Sequence, residues 1–331
     1  MRQIRRTTLM RWIATVLLAA GLAQAEPSVP DVAWSQTWVD QAYLPRHAAL
    51  TQAADALASA SSAFCEQPTP AQLETVKHYW LRTSQAWRAM DGAPAGPMVL
   101  ERLGRKIDFR PTRVDDLEAA ILSGDNSNAA TRGLPAMEYL LWGNAQPKLQ
   151  LAKLKQPERC AYLHKMAQQV AEQTHLLDQP WSVYRLELGA ENPFFRENLL
   201  SEHINLLLSS MGSLHKRMPT AAELKPEQFA EWRSGSSHAQ FMAQVAGMNL
   251  ALQAVVQRLQ MEGAADLAQQ VSQDMAQVQM TCQSVPSNLA QSSVKARSAC
   301  SKAIDTLKGR LQSKVGEQFD LTLGFTEGDG D

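Results

Sequence analysis

The chain has 331 residues, with 32 basic side chains against 33 acidic ones and a formal net charge of −1. With the four arginines of residues 1–25 set aside the charge becomes −5, which argues against nucleic acid or an anionic lipid surface as the main partner. A chain of this length can bury one large core or two modest ones.

Residues 1–25 read as a secretory signal peptide. Arg2, Arg5, Arg6 and Arg11 surround the start of an apolar run, Trp12 to Leu22, that is too short to span a bilayer. Ala23-Gln24-Ala25 fits a signal-peptidase site, with Glu26 as the first mature residue. Removing those four arginines leaves 28 basic against 33 acidic side chains, a net charge of −5. No Cys lies at the cleavage site, so a lipid anchor is not expected. The expected location is the periplasm, with no stable membrane insertion after cleavage. Export would place Cys65, Cys160, Cys282 and Cys300 in an oxidising compartment. Four cysteines allow three pairings, and Cys65–Cys160 with Cys282–Cys300 is the set that keeps each bridge within one half of the chain.

Helical periodicity runs through nearly the whole sequence, and no segment alternates with period two. A first helix is expected over roughly 32–65, bent at Pro45. Thr69-Pro70-Ala71-Gln72 joins an N-cap, a first-turn Pro and a capping-box Gln, so a second helix starts there. Its stripe is Leu73, Val76, Trp80, Thr83, Trp87 and Met90. Residues 91–112 read as an irregular loop rich in charge, and a loop that long inside a compact domain is usually functional or disordered. Thr112 to Gly124 holds a brief helix. Thr131 to Gly143 follows, a short and almost wholly apolar helix. Gln156-Pro157 starts another, with Cys160, Leu163, Ala167, Val170, Thr174 and Leu177 on one face and an end at Gln179-Pro180. Trp181 to Pro193 is the expected linker. Beyond it, apolar stripes mark four more helices, separated by Pro219, the Pro226 loop and Pro286. The expected fold is all-α, two antiparallel helical bundles of about four helices each, over residues 26–180 and 181–331.

The helix 133–143 carries the sharpest chemical signal. Its one side chain charged at neutral pH is Glu138, whose neighbours at three and four residues are Leu134, Pro135, Leu141 and Trp142. No face of the helix offers that carboxylate a route to water. Burial then costs several kcal/mol unless the group is paired, hydrogen-bonded or ligand-bound. Glu138 is therefore either a structural anchor or part of a ligand or metal site. Arg233, with Ser234-Gly235-Ser236 at an expected helix start, is a natural anion seat, the partner of Glu138, or a solvated side chain. Asp108 and Arg110 are loop anchors or ligands. Trp87, near the loop, is a core residue or a pocket wall. Glu172-Gln-Thr-His175 has the Glu-x-x-His spacing of di-iron bundles, but the second copy and further Glu that such sites need are missing.

Gly133-Leu-Pro-Ala-Met-Glu138 resembles the signature of the imelysin family of bacterial envelope proteins. Many members have Gly-x-His-x-x-Glu, and here Pro135 stands in the place of the His. Glu231-Trp-Arg-Ser-Gly235, the Trp80/Trp87 helix followed by Gly96-Pro97, and Leu321-Thr-Leu-Gly-Phe325 with Asp329-Gly-Asp331 extend the resemblance over the mature chain. It implies a bundle fold and a role in iron acquisition or an iron-responsive envelope function, with iron as the candidate cofactor. It also implies a site that includes Gly133, Pro135 and Glu138, with Glu138 as the candidate metal ligand. The family's peptidase label is a poorer guide here. A catalytic zinc takes three protein ligands, and without the His the motif supplies one. The favoured reading is a non-enzymatic periplasmic protein binding a small ligand or metal ion at the bundle interface. The alternatives are a metallopeptidase and a helical adaptor for another envelope protein.

Overall fold

The computed structural model describes residues 29–143, 147–321 and 323. Residues 1–25, read above as a signal peptide, and the Asp329-Gly-Asp331 end lie outside the described residues.

The described residues form helices and no strands. In chain order these are α1 Val32–Trp38, α2 Leu44–Glu66, α3 Pro70–Asp91, α4 Pro97–Leu100, α5 Leu103–Ile107, α6 Val114–Ser123, α7 Gly133–Trp142, α8 Pro147–Leu154, α9 Pro157–His175, α10 Asp178–Leu188, α11 Phe194–Glu197, α12 Leu199–Arg217, α13 Ser237–Met261, α14 Ala265–Gln283 and α15 Val294–Arg310. Helices α2, α3, α7 and α9 pack as one bundle, and α12 to α15 as a second. The two share one continuous apolar core. All-α, in two bundles, is the fold expected from the periodicity.

Local chemistry explains most boundaries. Thr69 caps α3, its Oγ accepting from the Gln72 N–H at 3.2 Å. Gly124, at φ 73°, ends α6. The first helix is broken just before Pro45, by a π-helical turn over Val39–Tyr43, so Pro45 opens α2. A proline that lacks the N–H for the preceding turn is tolerated there. The loop 91–112 contains two short helical pieces, α4 and α5, and is less irregular than its composition indicates.

The expected linker is also a correction. Helix α9 ends at His175, and Pro180 lies in the first turn of a new helix, α10, which continues to Leu188. Trp181 is buried, its ring stacked on Tyr43 with centroids 5.4 Å apart. Trp181 to Pro193 read as a linker because Gln179-Pro180 reads as a helix end, but the aromatic face of that stretch packs on the segment between α1 and α2. A boundary between residues 180 and 181 would fall inside α10, so separate domains stand as a proposal only.

The bundles meet where α3 crosses α13, backbone against backbone. An added Cβ at Gly247 would meet the Ala89 carbonyl oxygen at 1.9 Å, and one at Gly92 would meet that of Gln244 at 2.2 Å. Arg46, from α2, clips the crossing by donating to the Ala89 and Gly247 carbonyls at 2.7 and 3.0 Å. Both cysteine pairs are bridged as expected. Cys65–Cys160 ties α2 to α9, and Cys282–Cys300 ties α14 to α15.

Near this crossing His203 is buried among Trp38 and Tyr43, and its Nε2 lies 3.0 Å from the Ala251 carbonyl. Burial pushes its pKa down to about 4, against a usual 6.5. The unfolded chain thus binds a proton near pH 6.5 that the folded chain refuses until about pH 4. Stability is full above the first value and falls as pH drops towards the second. A loss of about 2 kcal/mol between pH 7 and pH 5 is expected in urea titrations of the wild type. His203→Gln should lack that slope. An identical slope in both proteins would remove His203 as its source.

Candidate functional site

The junction between the bundles is built around two carboxylates, and they are held in opposite ways. The first is Glu231, fully buried in the turn before α13, with a left-handed φ of 56°. Arg88 of α3 donates to its Oε1 through Nε at 3.0 Å and Nη2 at 2.6 Å. Arg110 Nη2 reaches the same oxygen at 2.9 Å, and Arg217 Nη2, from the end of α12, donates to Oε2 at 2.7 Å. Burial alone would raise this carboxyl. The three guanidinium groups overcome that and hold it down at about 2.

The network continues into the loop. Arg88 Nη1 pairs with Asp108 at 2.7 Å and Asp91 at 3.1 Å. Asp108 also accepts from Trp87 Nε1 at 3.0 Å and Arg110 Nε at 3.1 Å. Three arginines thus face three acids, Glu231, Asp108 and Asp91, and their charges cancel. Asp108 and Arg110 are anchors that fix the loop to both bundles, and the Trp87 indole holds Asp108 from beneath.

The second carboxylate, Glu138, is 2 % exposed on α7. Its Oε1 accepts from the Ser234 backbone N–H and from Ser234 Oγ, both at 2.9 Å. Burial raises its pKa. The nearby charge of Arg110 and the two Ser234 bonds oppose the rise, while Glu231 reinforces it. The partner is Ser234, so of the alternatives for Arg233 the pairing with Glu138 is not formed. Instead the Arg233 guanidinium lies over the Trp232 ring at 4.5 Å and the Tyr139 ring at 5.4 Å, with its Nε lacking a hydrogen-bond partner. Its flat faces are used by aromatic rings, which removes the need for a carboxylate.

From Glu138 a chain of polar groups runs into α13. Ser234 Oγ lies 2.8 Å from Ser236 Oγ, and Gln240 Nε2 lies 3.5 Å from Ser236 Oγ. Gln240 is fully buried, and its Oε1 has no partner. Ser234 Oγ has one hydrogen to offer but lies 2.9 Å from two acceptors, Glu138 Oε1 and the Glu231 carbonyl, while Ser236 Oγ at 2.8 Å can donate to it or accept from it. The arrangement is short of donors.

Gly133 and Pro135 do not reach this cluster through side-chain polar groups. Gly133, at φ 75°, is required because a Cβ would meet the Ile107 carbonyl oxygen at 2.3 Å. It lets the start of α7 press on the loop that carries Asp108. Pro135 is buried in the first turn of α7. Three residues that hold the junction together, Glu231, Arg88 and Arg217, were not singled out from the sequence. Only Ser84 and Arg88, four residues apart and buried on α3, give a sign of them, as a second buried stripe beside the apolar one.

Among the described residues no group of three or more His, Cys, Asp or Glu side chains could hold a metal ion. Glu138 would supply one ligand, beside the cations of Arg110 and Arg233. This donor set does not suit a metal ion held directly by the protein.

The imelysin family model matches residues 43–314, across both bundles and every residue of the junction. The chain belongs to the imelysin family. Its fold is shared by an imelysin-like protein from Psychrobacter arcticum, at 17% identity and a TM-score of 0.73, covering 91% of this chain and 100% of the other. A second solved structure, from Parabacteroides distasonis, is described as a candidate iron-regulated protein A precursor. It matches at 13% identity with a TM-score of 0.67, covering 87% of this chain and 97% of the other. No curated protein matches the chain. In this imelysin the motif Glu is placed at the bundle junction on a serine rather than beside a motif His.

Proposed function

We propose that this imelysin is a non-enzymatic envelope protein that binds a small ligand at the junction of its two bundles, in an iron-associated role. The observation that carries the reading is the isolation of Glu138. Every nearby arginine that forms ion pairs is committed to another carboxylate, so Glu138 is buried with only Ser234 for company. A folded protein keeps so costly a group where something else uses it. The ligand that fits donates a hydrogen bond to Glu138 and accepts one from Arg233, so it carries both kinds of group within a small span. The family and the description of the Parabacteroides neighbour support the iron association. Given the donor set, iron would enter as part of a chelate or through a partner, not as a bare ion.

Glu138→Gln separates this reading from a structural role. A carboxyl whose pKa is raised by folding opposes the fold at neutral pH, and that penalty lifts as pH falls. The Gln variant should therefore melt at the wild-type temperature or above it, while still accepting from Ser234. Native mass spectrometry of protein isolated from the envelope should find a bound species on the wild type and none on Glu138→Gln, with metal analysis reporting whether iron accompanies it. A variant that melts clearly lower and carries the same bound species would make Glu138 scaffold.

A further inference from the structure

Away from the junction, the corner between α9 and α10 carries a chain of four titratable side chains. His175, the last residue of α9, has Nε2 3.0 Å from Asp55 Oδ1 and Nδ1 3.1 Å from Asp178 Oδ2. Asp178, the first residue of α10, bonds the buried His47 through its other oxygen, with Nε2 at 2.8 Å. Asp55 and His47 both belong to α2. Glu172 of α9 lines the same surface groove as Asp55 and His175.

An imidazole with a carboxylate at each nitrogen can donate to both only when it holds both protons. The neutral ring donates to one and turns a lone pair on the other. Two carboxylates, Asp55 and Asp178, with Glu172 nearby, then face each other without a cation between them. We infer that His175 is a proton-operated fastener that holds the α9–α10 corner to α2 while charged and loosens it when neutral.

Helix α2 presents Asp55 and His47, α9 presents Glu172, and α10 presents Asp178. The hydrogen bonds to Asp178 and Asp55 raise the His175 pKa above its ordinary value. A base whose pKa is raised by folding adds stability that is complete below the unfolded value of 6.5 and is lost as pH climbs through the folded one. The corner matters because α10 carries Trp181 and Tyr184, whose rings form the space around Gly96 at the head of the loop that carries Asp108. Loosening α10 therefore relaxes the packing of the loop that braces the junction.

Amide hydrogen exchange on the full-length protein tests this. His175 and Asp55 are half exposed, so the effect is modest. Protection over residues 178–188, normalised to α14, should fall about two- to five-fold between pH 6 and pH 9. His175→Gln should show the lower protection at both pH values, and Asp55→Asn should lower the His175 midpoint seen by NMR. Protection that is independent of pH in the wild type, an equal fall in His175→Gln, or a His175 midpoint at the ordinary value would each overturn the proposal.

Discussion

Glu231→Ala should lower the unfolding free energy by about 3–5 kcal/mol, because it leaves buried guanidinium groups without their counter-ion. Arg88 and Arg217 lie against this one carboxylate with side chains 5% and 12% exposed. Both guanidinium groups are therefore largely shut off from water where they sit. Arg88 keeps Asp108 and Asp91 as partners, so the loss falls most heavily on Arg217. Glu231→Gln retains the shape and an acceptor and should cost less than Glu231→Ala. Urea denaturation of the three proteins at pH 7 reads the difference. A loss below about 1 kcal/mol for the Ala variant would mean that the network is solvated and contributes little.

Removing the Cys65–Cys160 bridge should cost about 4–5 kcal/mol in the chain-entropy model, since it closes a loop of 95 residues. The bridge joins the end of α2 to the start of α9, so the freed chain gains every arrangement in which α3 to α8 separate from those two helices. Cys282–Cys300 spans only 18 residues, and its removal should cost about 3 kcal/mol. Paired Cys→Ala variants at each bridge, compared by denaturant midpoint, check both the size and the order. A larger loss at Cys282–Cys300 would show that native-state packing outweighs loop closure here.

The helices and their stripes were legible because each depends on short-range pattern, and the disulfide pairing because only one set keeps each bridge within one half of the chain. Thr69 and Gly124 mark their boundaries through one local hydrogen bond or one left-handed residue. Glu138 was legible for a similar reason, as an ionisable side chain on a helix with no polar face. Its partner was not. Arg233 was an obvious choice by charge, yet geometry gave Glu138 to Ser234 and set Arg233 on Trp232 and Tyr139, a choice that only three-dimensional placement makes. Glu231 was named only as part of the Glu231-Trp-Arg-Ser-Gly235 resemblance, because nothing local to that stretch shows a partner for its carboxylate. What buries it is the arrival of Arg88, Arg110 and Arg217 from three distant segments. Trp181 misled in the same way, since a tryptophan between prolines shows nothing of the Tyr43 ring it will cover.

The glycine crossing of α3 and α13 bears on how a molecule could reach Glu138. Proteins that swallow ligands by swinging two lobes apart need a deformable strip between them, a few residues that absorb the rotation. Here the strip is two backbones in van der Waals contact, pinned by Arg46, with no side chains to slide on. A clamshell motion would have to part a carbonyl from the space that Gly247 leaves for it. For the ligand proposed above, access to the carboxylate would then run through the half-exposed turn at residues 232–236, and its exchange rate should follow the opening of that turn while the bundles keep their relative orientation.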